Sequence, residues 1–421
     1  RDNLQTAEDA LGALEKKPKL LVLEDVSGGD TPKAESGWLI EREESDLAFI
    51  VYTSGTTGNP KGVMLTFANL YANMKAVYEA KYYYEGIRVL ALLPFHHILP
   101  LMGTVVMPLS ICGKLVFPKS LSPIDMAEAL QKYPVDMVIA VPRFYELLHT
   151  NILAKISQSK LASALFKAAK FANSEFLSQK IFSAIHKKFG GEVKFWISGG
   201  AALDRKVWRD LSALGFGIRE GYGMTECGPL LTYDNWKTFR QSSCGKAVPR
   251  VELRIDSGDP QHIVGEILAK GICVMTGYYK NPEATAGAID RDGWLHTGDM
   301  GIIDQDGYLF IKGRCKNMIL SSNGQNIYPE EIEDKLNNMP YISESIVIEK
   351  EGKLVALIYP DFDLVNEEKI TDEKLDELMT ANLKEINQQL PAYSQLNTYK
   401  LYNEEFEKTP KKSIKRFLYN R

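Results

Sequence analysis

A glycine-rich loop at residues 53–62 has the residue types needed to hold phosphate groups. It reads TSGTTGNPKG and directly follows the apolar run 47–52. Glycines let the backbone turn tightly and bring N–H groups close to phosphate oxygens, while hydroxyls add donors and Lys61 adds a positive charge. The spacing differs from the G-x-x-x-x-G-K-[ST] pattern of P-loop nucleotidases. The loop therefore predicts phosphate binding of a different kind.

This loop resembles the phosphate-binding signature of the adenylate-forming superfamily, which includes acyl-CoA synthetases, peptide-synthetase adenylation domains and luciferases. The later motifs of that superfamily follow in the expected order: LPFHH at 93–97, SGGAA at 198–202, GYGMTE at 221–226, WLHTGD at 294–299, GRCKN at 313–317 and NGQNIYPEEIE at 323–333. The resemblance extends over about residues 20–418. It implies that ATP, Mg²⁺ and coenzyme A are used.

The resemblance also implies a role for each matching residue. The residues expected to bind the nucleotide are Thr53, Ser54, Gly55, Thr56, Thr57, Gly58 and Lys61 for the phosphates, Gly199, Gly200, Ala201, Tyr222 and Gly223 for the adenine, and Asp299 and Arg314 for the ribose, with Lys316 as a pivot. His97 would lie beside the acyl pocket, and Thr225 would contact phosphate. Glu226 would bind Mg²⁺, because a carboxylate oxygen suits a hard cation that screens phosphate charge.

The C-terminal lysine of adenylation departs from the superfamily pattern. That lysine normally precedes an apolar-x-Arg triplet, and the triplet here begins at Ile414, which puts Ser413 at the lysine position. Lys412 is one residue earlier and is our candidate for the catalytic lysine, with Lys415 as a weaker candidate. A lysine is needed because negative charge develops on the α-phosphate and the acyl oxygen as pyrophosphate leaves.

The elements that position these motifs alternate between strands and helices. Apolar runs predict strands at 19–24, 47–52, 89–93, 115–117, 137–141 and 195–197, and helical patterns occur at 67–80 and 126–133. Such alternation predicts an α/β fold with a mostly parallel sheet. We expect a large N-terminal domain at 1–313, with an α/β part at 1–250 and a β-rich part at 251–313. A hinge at 314–317 and a small mobile α+β lid domain at 318–421 would follow. Relatives have a longer stretch before the loop, so we expect the N-terminal part of the first subdomain to be missing.

Composition limits the functional class. The net charge of −4 and the pI of about 6.0 argue against a nucleic-acid binder, which would normally be basic. The five cysteines form no CxxC pair, which is typical of reduced thiols in a cytoplasmic protein. The apolar stretch 89–112 is interrupted by prolines and histidines and predicts buried strands and turns rather than a membrane span. No basic and apolar pattern typical of a secretory signal is visible in the given residues, so we expect none.

Residues 151–190 contain seven lysines and one acid, Glu175. We expect mainly solvated helix faces there. A peripheral contact with an anionic membrane surface, where a lipid substrate would partition, is the alternative.

The long segment between residues 141–145 and Phe195, with His97 upstream, resembles the long-chain fatty acyl-CoA ligase branch of the superfamily. The resemblance thus implies an acid–thiol ligase that activates a carboxylic acid, a medium- or long-chain fatty acid, as acyl-AMP and transfers it to coenzyme A. Three alternatives remain open. One is transfer to an acyl carrier protein, or release as acyl-AMP, on the same fold. Another is a nucleotide-binding homologue without turnover. The third is a phosphotransferase that would yield ADP.

Overall fold

The computed structural model of this chain describes residues 41–53, 60–120, 122–172, 174–235, 238–320, 325–408 and 414–419. The predicted strand at 19–24 lies outside these residues. Internal contacts divide the chain into a unit of residues 1–43, of which only 41–43 are described, and a unit of residues 44–421. The second unit contains all the elements that follow.

The described residues form strands and helices throughout the second unit. The strands are β1 (Leu47–Thr53), β2 (Lys61–Thr66), β3 (Arg88–Leu90), β4 (Lys114–Val116), β5 (Met137–Ala140), β6 (Phe195–Ser198), β7 (Ile218–Gly223), β8 (Leu230–Tyr233), β9 (Lys246–Ala247), β10 (Val251–Asp256), β11 (Gly265–Gly271), β12 (Gly277–Tyr278), β13 (Leu295–Ile303), β14 (Leu309–Arg314), β15 (Ile319–Leu320), β16 (Asn326–Ile327), β17 (Ile342–Lys350), β18 (Lys353–Pro360) and β19 (Thr398–Leu401). The helices are α1 (Phe67–Glu79), α2 (Ile98–Pro100), α3 (Met107–Ser110), α4 (Pro123–Lys132), α5 (Pro142–Ser157), α6 (Lys160–Ala172), α7 (Glu175–Ile181), α8 (Ser183–Lys188), α9 (Arg205–Ala213), α10 (Pro282–Ala288), α11 (Pro329–Leu336), α12 (Phe362–Glu367) and α13 (Asp372–Gln389).

A seven-stranded sheet with the order β4-β3-β5-β6-β7-β8-β9 forms the centre of the fold. Neighbouring strands from β4 to β7 are parallel, and β8 and β9 are antiparallel to their neighbours. All four residues of β5 are buried, because helices cover both faces of the sheet, and an apolar run without alternation is typical of such a strand. Val138 packs with α4, α5 and α9 on one face, and Ile139 packs with the 82–107 region on the other. The predicted α/β fold with a mostly parallel sheet is confirmed.

The apolar stretch 89–112 differs in part from its prediction. It begins with the strand β3 as expected, but residues 98–110 form a continuous helical segment of α2, a π-helical stretch at Leu101–Val106, and α3. Pro100 lies just before the π-helical stretch, and Pro108 lies in the first turn of α3. A proline is tolerated at both places because its missing N–H group is not needed there for a helical hydrogen bond. None of the helices in the described part of the chain has both the length and the apolar character that a membrane crossing needs.

Two antiparallel sheets flank the glycine-rich loop and the ribose motif. One has the order β1-β2-β12 and the other the order β10-β11-β13-β14. The strand predicted at 47–52 is present as β1, but its apolar run does not make it a buried strand, since Val51 is buried while Leu47, Ile50 and Tyr52 are exposed. Successive side chains of a strand point to opposite faces, so Ile50 and Tyr52 lie on the face opposite Val51.

Residues beyond β14 form a small α+β arrangement. The sheet β17-β18-β19 packs against α11 and α13 around Ile332, Val347 and Met379. The boundaries at 313 and 318, and the movement of one part against the other, remain predictions.

Candidate functional site

The hairpin of β1 and β2 holds both ends of the glycine-rich loop. Thr53 and Lys61 are register partners, and the Thr53 hydroxyl donates to the Lys61 carbonyl at 3.4 Å. Ser54, Gly55, Thr56, Thr57 and Gly58 lie outside the described residues. The Lys61 Nζ atom lies 4.9 Å from the centroid of the Tyr278 ring, on the strand β12 that pairs with β2. The C-terminal end of the loop therefore lies next to Tyr278.

The Glu226 carboxylate contacts the hydroxyl group of Tyr278. The Tyr278 hydroxyl donates to Glu226 Oε1 at 2.8 Å, and both side chains are buried. Strand β7 leads into this position through a tight turn in which Gly223 is required, because a Cβ there would lie 1.9 Å from the Pro229 carbonyl oxygen. Thr225 and Glu226 then form a short 3₁₀ turn with Cys227.

Tyr222, Asp299 and Arg314 form a hydrogen-bonded set beside this turn. The Tyr222 hydroxyl donates to Asp299 Oδ2 at 2.8 Å, and Arg314 Nε lies 2.9 Å from Asp299 Oδ1. The pairing of β13 with β14 makes Asp299 and Arg314 register partners. Burial raises the pKa of Asp299, Arg314 and the Tyr222 hydroxyl oppose that shift, and the nearby Glu226 charge adds to it. A carboxylate with a cation on one side and a phenol on the other can accept two further hydroxyl donors.

The small-residue loop after β6 lies against β7. A Cβ on Gly199 would lie 3.8 Å from the Gly221 carbonyl oxygen, so this glycine is adjacent to the strand that carries Tyr222. Gly200 has a φ of +87°, which favours glycine, and both Gly200 and Ala201 are exposed. The loop thus presents exposed backbone without large side chains next to Tyr222, and a flat ring such as adenine could lie against it.

The predicted hinge residues lie at the edge of this set. Lys316 is in the 3₁₀ turn Cys315–Asn317, and burial together with the Arg314 charge lowers its pKa. Cys315 Sγ lies 3.1 Å from Met300 Sδ, and Asn317 Nδ2 donates to Glu330 Oε1 at 2.5 Å. The first contact connects this turn with β13, and the second connects it with α11 of the C-terminal part.

An apolar cavity of about 90 Å³ opens beside Gly221. Side chains of α1, of the helical segment 98–110 and of the central sheet line it, among them Met74, Val77, Leu99, Met102, Met107, Ile139, Ile197 and Leu230. His97 precedes α2, two residues before Leu99 in the cavity wall. The volume is several times the roughly 10–15 Å³ that one water needs.

Two charged residues also line the cavity, and both are neutralised. The Arg219 guanidinium donates to both carboxylate oxygens of Glu175, and both N–O distances are 3.0 Å. Burial raises the pKa of Glu220 to about 8, with the Asp234 charge adding to the shift. Its carboxyl group is therefore mostly uncharged at neutral pH, which suits an apolar ligand.

Lys412 lies outside the described residues, but both flanks of its loop are described. Lys408 and Ile414 form an antiparallel bridge. Arg416 contacts both oxygens of the buried Glu333 at 2.6 and 2.7 Å, and Lys408 pairs with Glu344 at 2.6 Å. Lys415 is 3.1 Å from Glu407 within the same hairpin. That ion pair makes Lys415 the weaker candidate for catalysis.

The structure therefore brings together Lys61, Tyr222, Glu226, Asp299 and Arg314, which the sequence analysis had assigned to one nucleotide. Sequence reasoning missed Tyr278, which bridges Lys61 and Glu226. It lies in a Gly-Tyr-Tyr stretch whose spacing to the other motifs carries no chemical signal, and only the pairing of β12 with β2 brings it to the site.

Comparisons with known proteins agree with this arrangement. Residues 3–279 match the family described as AMP-binding enzyme, and residues 316–420 match the AMP-binding enzyme C-terminal domain. Long-chain-fatty-acid–CoA ligase FadD15 of Mycobacterium bovis is 29% identical over 371 residues, which are 83% of this chain and 59% of that protein. Putative fatty-acid–CoA ligase fadD11 of Mycobacterium tuberculosis is 33% identical over 351 residues, 76% of this chain and 59% of that protein.

Among solved structures, ATP-bound MatB from Rhodopseudomonas palustris has a TM-score of 0.73 at 26% identity, covering 90% of this chain and 69% of that one. MenE from Bacillus subtilis, in complex with ATP and a magnesium ion, has a TM-score of 0.68 at 23% identity over 90% of this chain and 71% of that one, and shows the fold alone. The chain spans less than two thirds of the length of the two curated relatives described.

Proposed function

Because this chain belongs to the AMP-binding enzyme family, we propose that its protein is an ATP-dependent acyl-CoA synthetase. It activates a carboxylic acid, in our proposal a medium- or long-chain fatty acid, as acyl-AMP and transfers the acyl group to coenzyme A. The observation that carries this proposal is the convergence of Lys61, Tyr222, Glu226, Asp299 and Arg314 beside an apolar cavity.

The first step is a substitution at the α-phosphorus of ATP. A carboxylate oxygen of the acid forms a bond to phosphorus, the bond to the β-phosphate oxygen breaks, and pyrophosphate leaves. The residues contribute positioning and charge rather than a protein nucleophile. Asp299 and Arg314 hold the ribose, Tyr222 packs on the adenine next to Gly199, and Lys61 with the glycine-rich loop receives the phosphates.

Glu226 is suited to hold Mg²⁺ in this step. Its carboxylate is a hard oxygen ligand, and the Tyr278 hydroxyl at 2.8 Å orients it. Mg²⁺ is usually held by one or two carboxylates together with substrate phosphates, so a single glutamate and the nearby Thr225 hydroxyl fit that pattern. When bound, the ion would neutralise charge on the phosphates.

The apolar cavity supports a fatty acid as the substrate. Its wall is mostly methionine, leucine, isoleucine, valine and tyrosine side chains, and the two residues that could carry a charge at neutral pH, Arg219 and Glu220, are neutralised by Glu175 and by burial. Acyl chain length stays open in this proposal.

The second step forms the thioester. The coenzyme A thiolate attacks the acyl carbon, and AMP leaves with the oxygen that bridged carbon and phosphorus. Residues 314–317 would allow the C-terminal part to turn between the two steps, as hinges of a few residues do. Lys412 would stabilise the charge of the first step, since its loop is anchored at both ends by the Lys408 and Arg416 ion pairs.

The test is AMP release from ATP with a panel of carboxylic acids, measured with coenzyme A, with acyl carrier protein and with neither thiol. We expect release with fatty acids and coenzyme A, and loss of release in Glu226→Ala but not in the exposed control Glu283→Ala. If only acyl carrier protein is consumed, the acyl acceptor is its thiol rather than that of coenzyme A. Background release with every acid would favour a nucleotide-binding homologue, and ADP as product would indicate a phosphotransferase.

Peripheral membrane contact through residues 151–190 also belongs to this proposal.

A further inference from the structure

Helix α6 carries apolar side chains on two opposite sides. Its inward side packs on the core of the central sheet through Ala162, Phe166 and the buried Ala169. Its outward side is formed by Leu161, Ala164, Leu165, Ala168, Phe171 and Ala172, all of which are exposed. These positions follow the i, i+3, i+4, i+7 spacing of a continuous helical stripe. Leu161 is 72% exposed and Phe171 is 95% exposed.

The orientation of α6 is fixed by a buried carboxylate. Asp210 on α9 is 2% exposed and accepts from Lys170 Nζ at 2.5 Å, and His149 Nε2 lies 3.0 Å from its other oxygen. These contacts join α5, α6 and α9 on the side of Lys170 that faces the protein. The outward stripe is therefore held toward solvent by specific contacts on the opposite side of the helix.

The next helix, α7, has its polar side toward the protein. Glu175 binds Arg219, Ser178 is buried, and Gln179 Nε2 donates to the Gly215 carbonyl at 3.0 Å. The side chains that point outward are apolar: Phe176 is 68%, Leu177 47% and Ile181 37% exposed. This distribution is the reverse of that expected for a helix on a water-exposed surface. We name the outward apolar side chains of α6 and α7 the apolar face.

Lysines border the apolar face. Residues 151–190 contain seven lysines, and their single acid, Glu175, is neutralised by Arg219. Lys170 pairs with Asp210. The other six, which form no ion pair with any side chain in the described ranges, are Lys155, Lys160, Lys167, Lys180, Lys187 and Lys188. Lys180 Nζ lies 4.3 Å from the Phe176 ring centroid, so cationic and aromatic groups are interleaved.

We propose that the apolar face binds an anionic phospholipid bilayer, with Leu161, Phe171 and Phe176 inserted among acyl chains and the bordering lysines at the lipid phosphates. Helices that lie in a membrane interface combine an apolar side with flanking lysines in this way. The helices of the apolar face carry Lys160, Lys167 and Lys180 and the neutralised Glu175, and this charge complements a negatively charged surface of broad extent. Because Glu175 connects α7 to Arg219 in the cavity wall, the bilayer would lie near the acyl cavity, an advantage that rests on the proposed fatty-acid substrate.

The test is co-sedimentation of the purified protein with vesicles of phosphatidylcholine alone and of phosphatidylcholine with about one third phosphatidylglycerol. We expect salt-sensitive binding to the anionic vesicles only. Phe171→Ser with Phe176→Ser should lower the partition coefficient at least about tenfold, since two large apolar side chains no longer insert. Lys160→Gln with Lys167→Gln and Lys180→Gln should lower both the binding and its salt dependence.

Two exposed residues elsewhere provide matched controls. Ile263→Ser, at a side chain that is 55% exposed, and Lys384→Gln should bind vesicles as the wild type does. Equal binding of the phenylalanine variant and its control would overturn the proposal, as would equal binding to neutral vesicles. A wild-type dimer in analytical ultracentrifugation that the phenylalanine variant dissociates, without vesicle binding, would assign the face to a second copy instead.

The binding assay needs no substrate, so it is independent of the proposed reaction. AMP release with octanoate, which is delivered from water, should be unchanged in the phenylalanine variant, while release with palmitate supplied in anionic vesicles should fall. Vesicle binding in a protein that activates no acid would leave the membrane inference standing and remove the fatty-acid ligase.

Discussion

Replacing Tyr278 by phenylalanine removes one hydroxyl from the site and keeps the ring. That hydroxyl donates to Glu226 Oε1 at 2.8 Å, and the two side chains are only 8% and 9% exposed. The contact of Lys61 Nζ with the ring, at 4.9 Å, is available to phenylalanine as well. Tyr278→Phe therefore isolates a single buried hydrogen bond to the carboxylate that we assign to Mg²⁺.

The size of the effect follows from the charge and burial of the two partners. Burial and the Glu226 charge raise the pKa of Tyr278, so its hydroxyl remains a donor throughout the neutral range. A hydrogen bond to a charged group contributes about 1.5–3 kcal/mol, and we expect the free energy of unfolding to fall by that amount. Partners that orient a metal ligand typically change metal affinity about 10–100-fold. The half-saturating Mg²⁺ concentration should rise correspondingly.

The assay is AMP release as a function of Mg²⁺ at saturating ATP and fatty acid, together with denaturant unfolding. Tyr279→Phe is the matched control, because this neighbouring tyrosine is 41% exposed and its hydroxyl lies outside the Glu226 contact. Identical Mg²⁺ dependence in the two variants would refute the reasoning that Tyr278 orients Glu226. A loss of stability alone, with unchanged Mg²⁺ dependence, would show that the hydrogen bond serves only the fold.

Further predictions concern the C-terminal anchor, the ribose site and the cavity. Arg416→Ala leaves Glu333 buried without its cation and should lower the free energy of unfolding by about 3–5 kcal/mol in denaturant titrations, with a smaller loss in Arg416→Lys. Burial raises the pKa of Asp299, so ATP affinity should fall as the pH is lowered toward that pKa; Asp299→Asn should raise the KM for ATP and remove this pH dependence. Met102→Trp fills part of the cavity and should shift AMP release from palmitate toward octanoate, with an unchanged preference contradicting the assignment of the cavity.

Strands β3 to β6 of the central sheet were predictable because each contains a short, continuous run of apolar residues. Residues 137–141 read as an unbroken apolar run, and a strand that is covered on both faces needs no polar alternation. The resemblance of the ordered motifs to the adenylate-forming superfamily predicted which residues would meet. Asp299 and Arg314 meet because β13 and β14 pair antiparallel, and Glu226 follows β7 of the central sheet.

The remaining features depend on contacts that no local pattern encodes. Residues 98–110 are apolar enough for a strand, and only packing against Ile139 and its neighbours selects the helix. Tyr278 reaches Glu226 because β12 pairs with β2, a pairing between residues far apart in the chain. The exposure of Phe171 and Phe176 could not be predicted from the sequence either. Hydrophobic periodicity indicates an amphipathic helix but does not show which side of the helix is covered by other parts of the protein.

The two glycines of β7 impose unequal limits on protein engineering. At Gly221 the nearest atom to an added Cβ is the flexible Leu230 side chain at 3.2 Å, and this residue borders the acyl cavity. At Gly223 the obstacle is the rigid Pro229 backbone. Directed evolution toward new acids should therefore yield functional clones with alanine or serine at position 221, whereas position 223 should return glycine in every active clone.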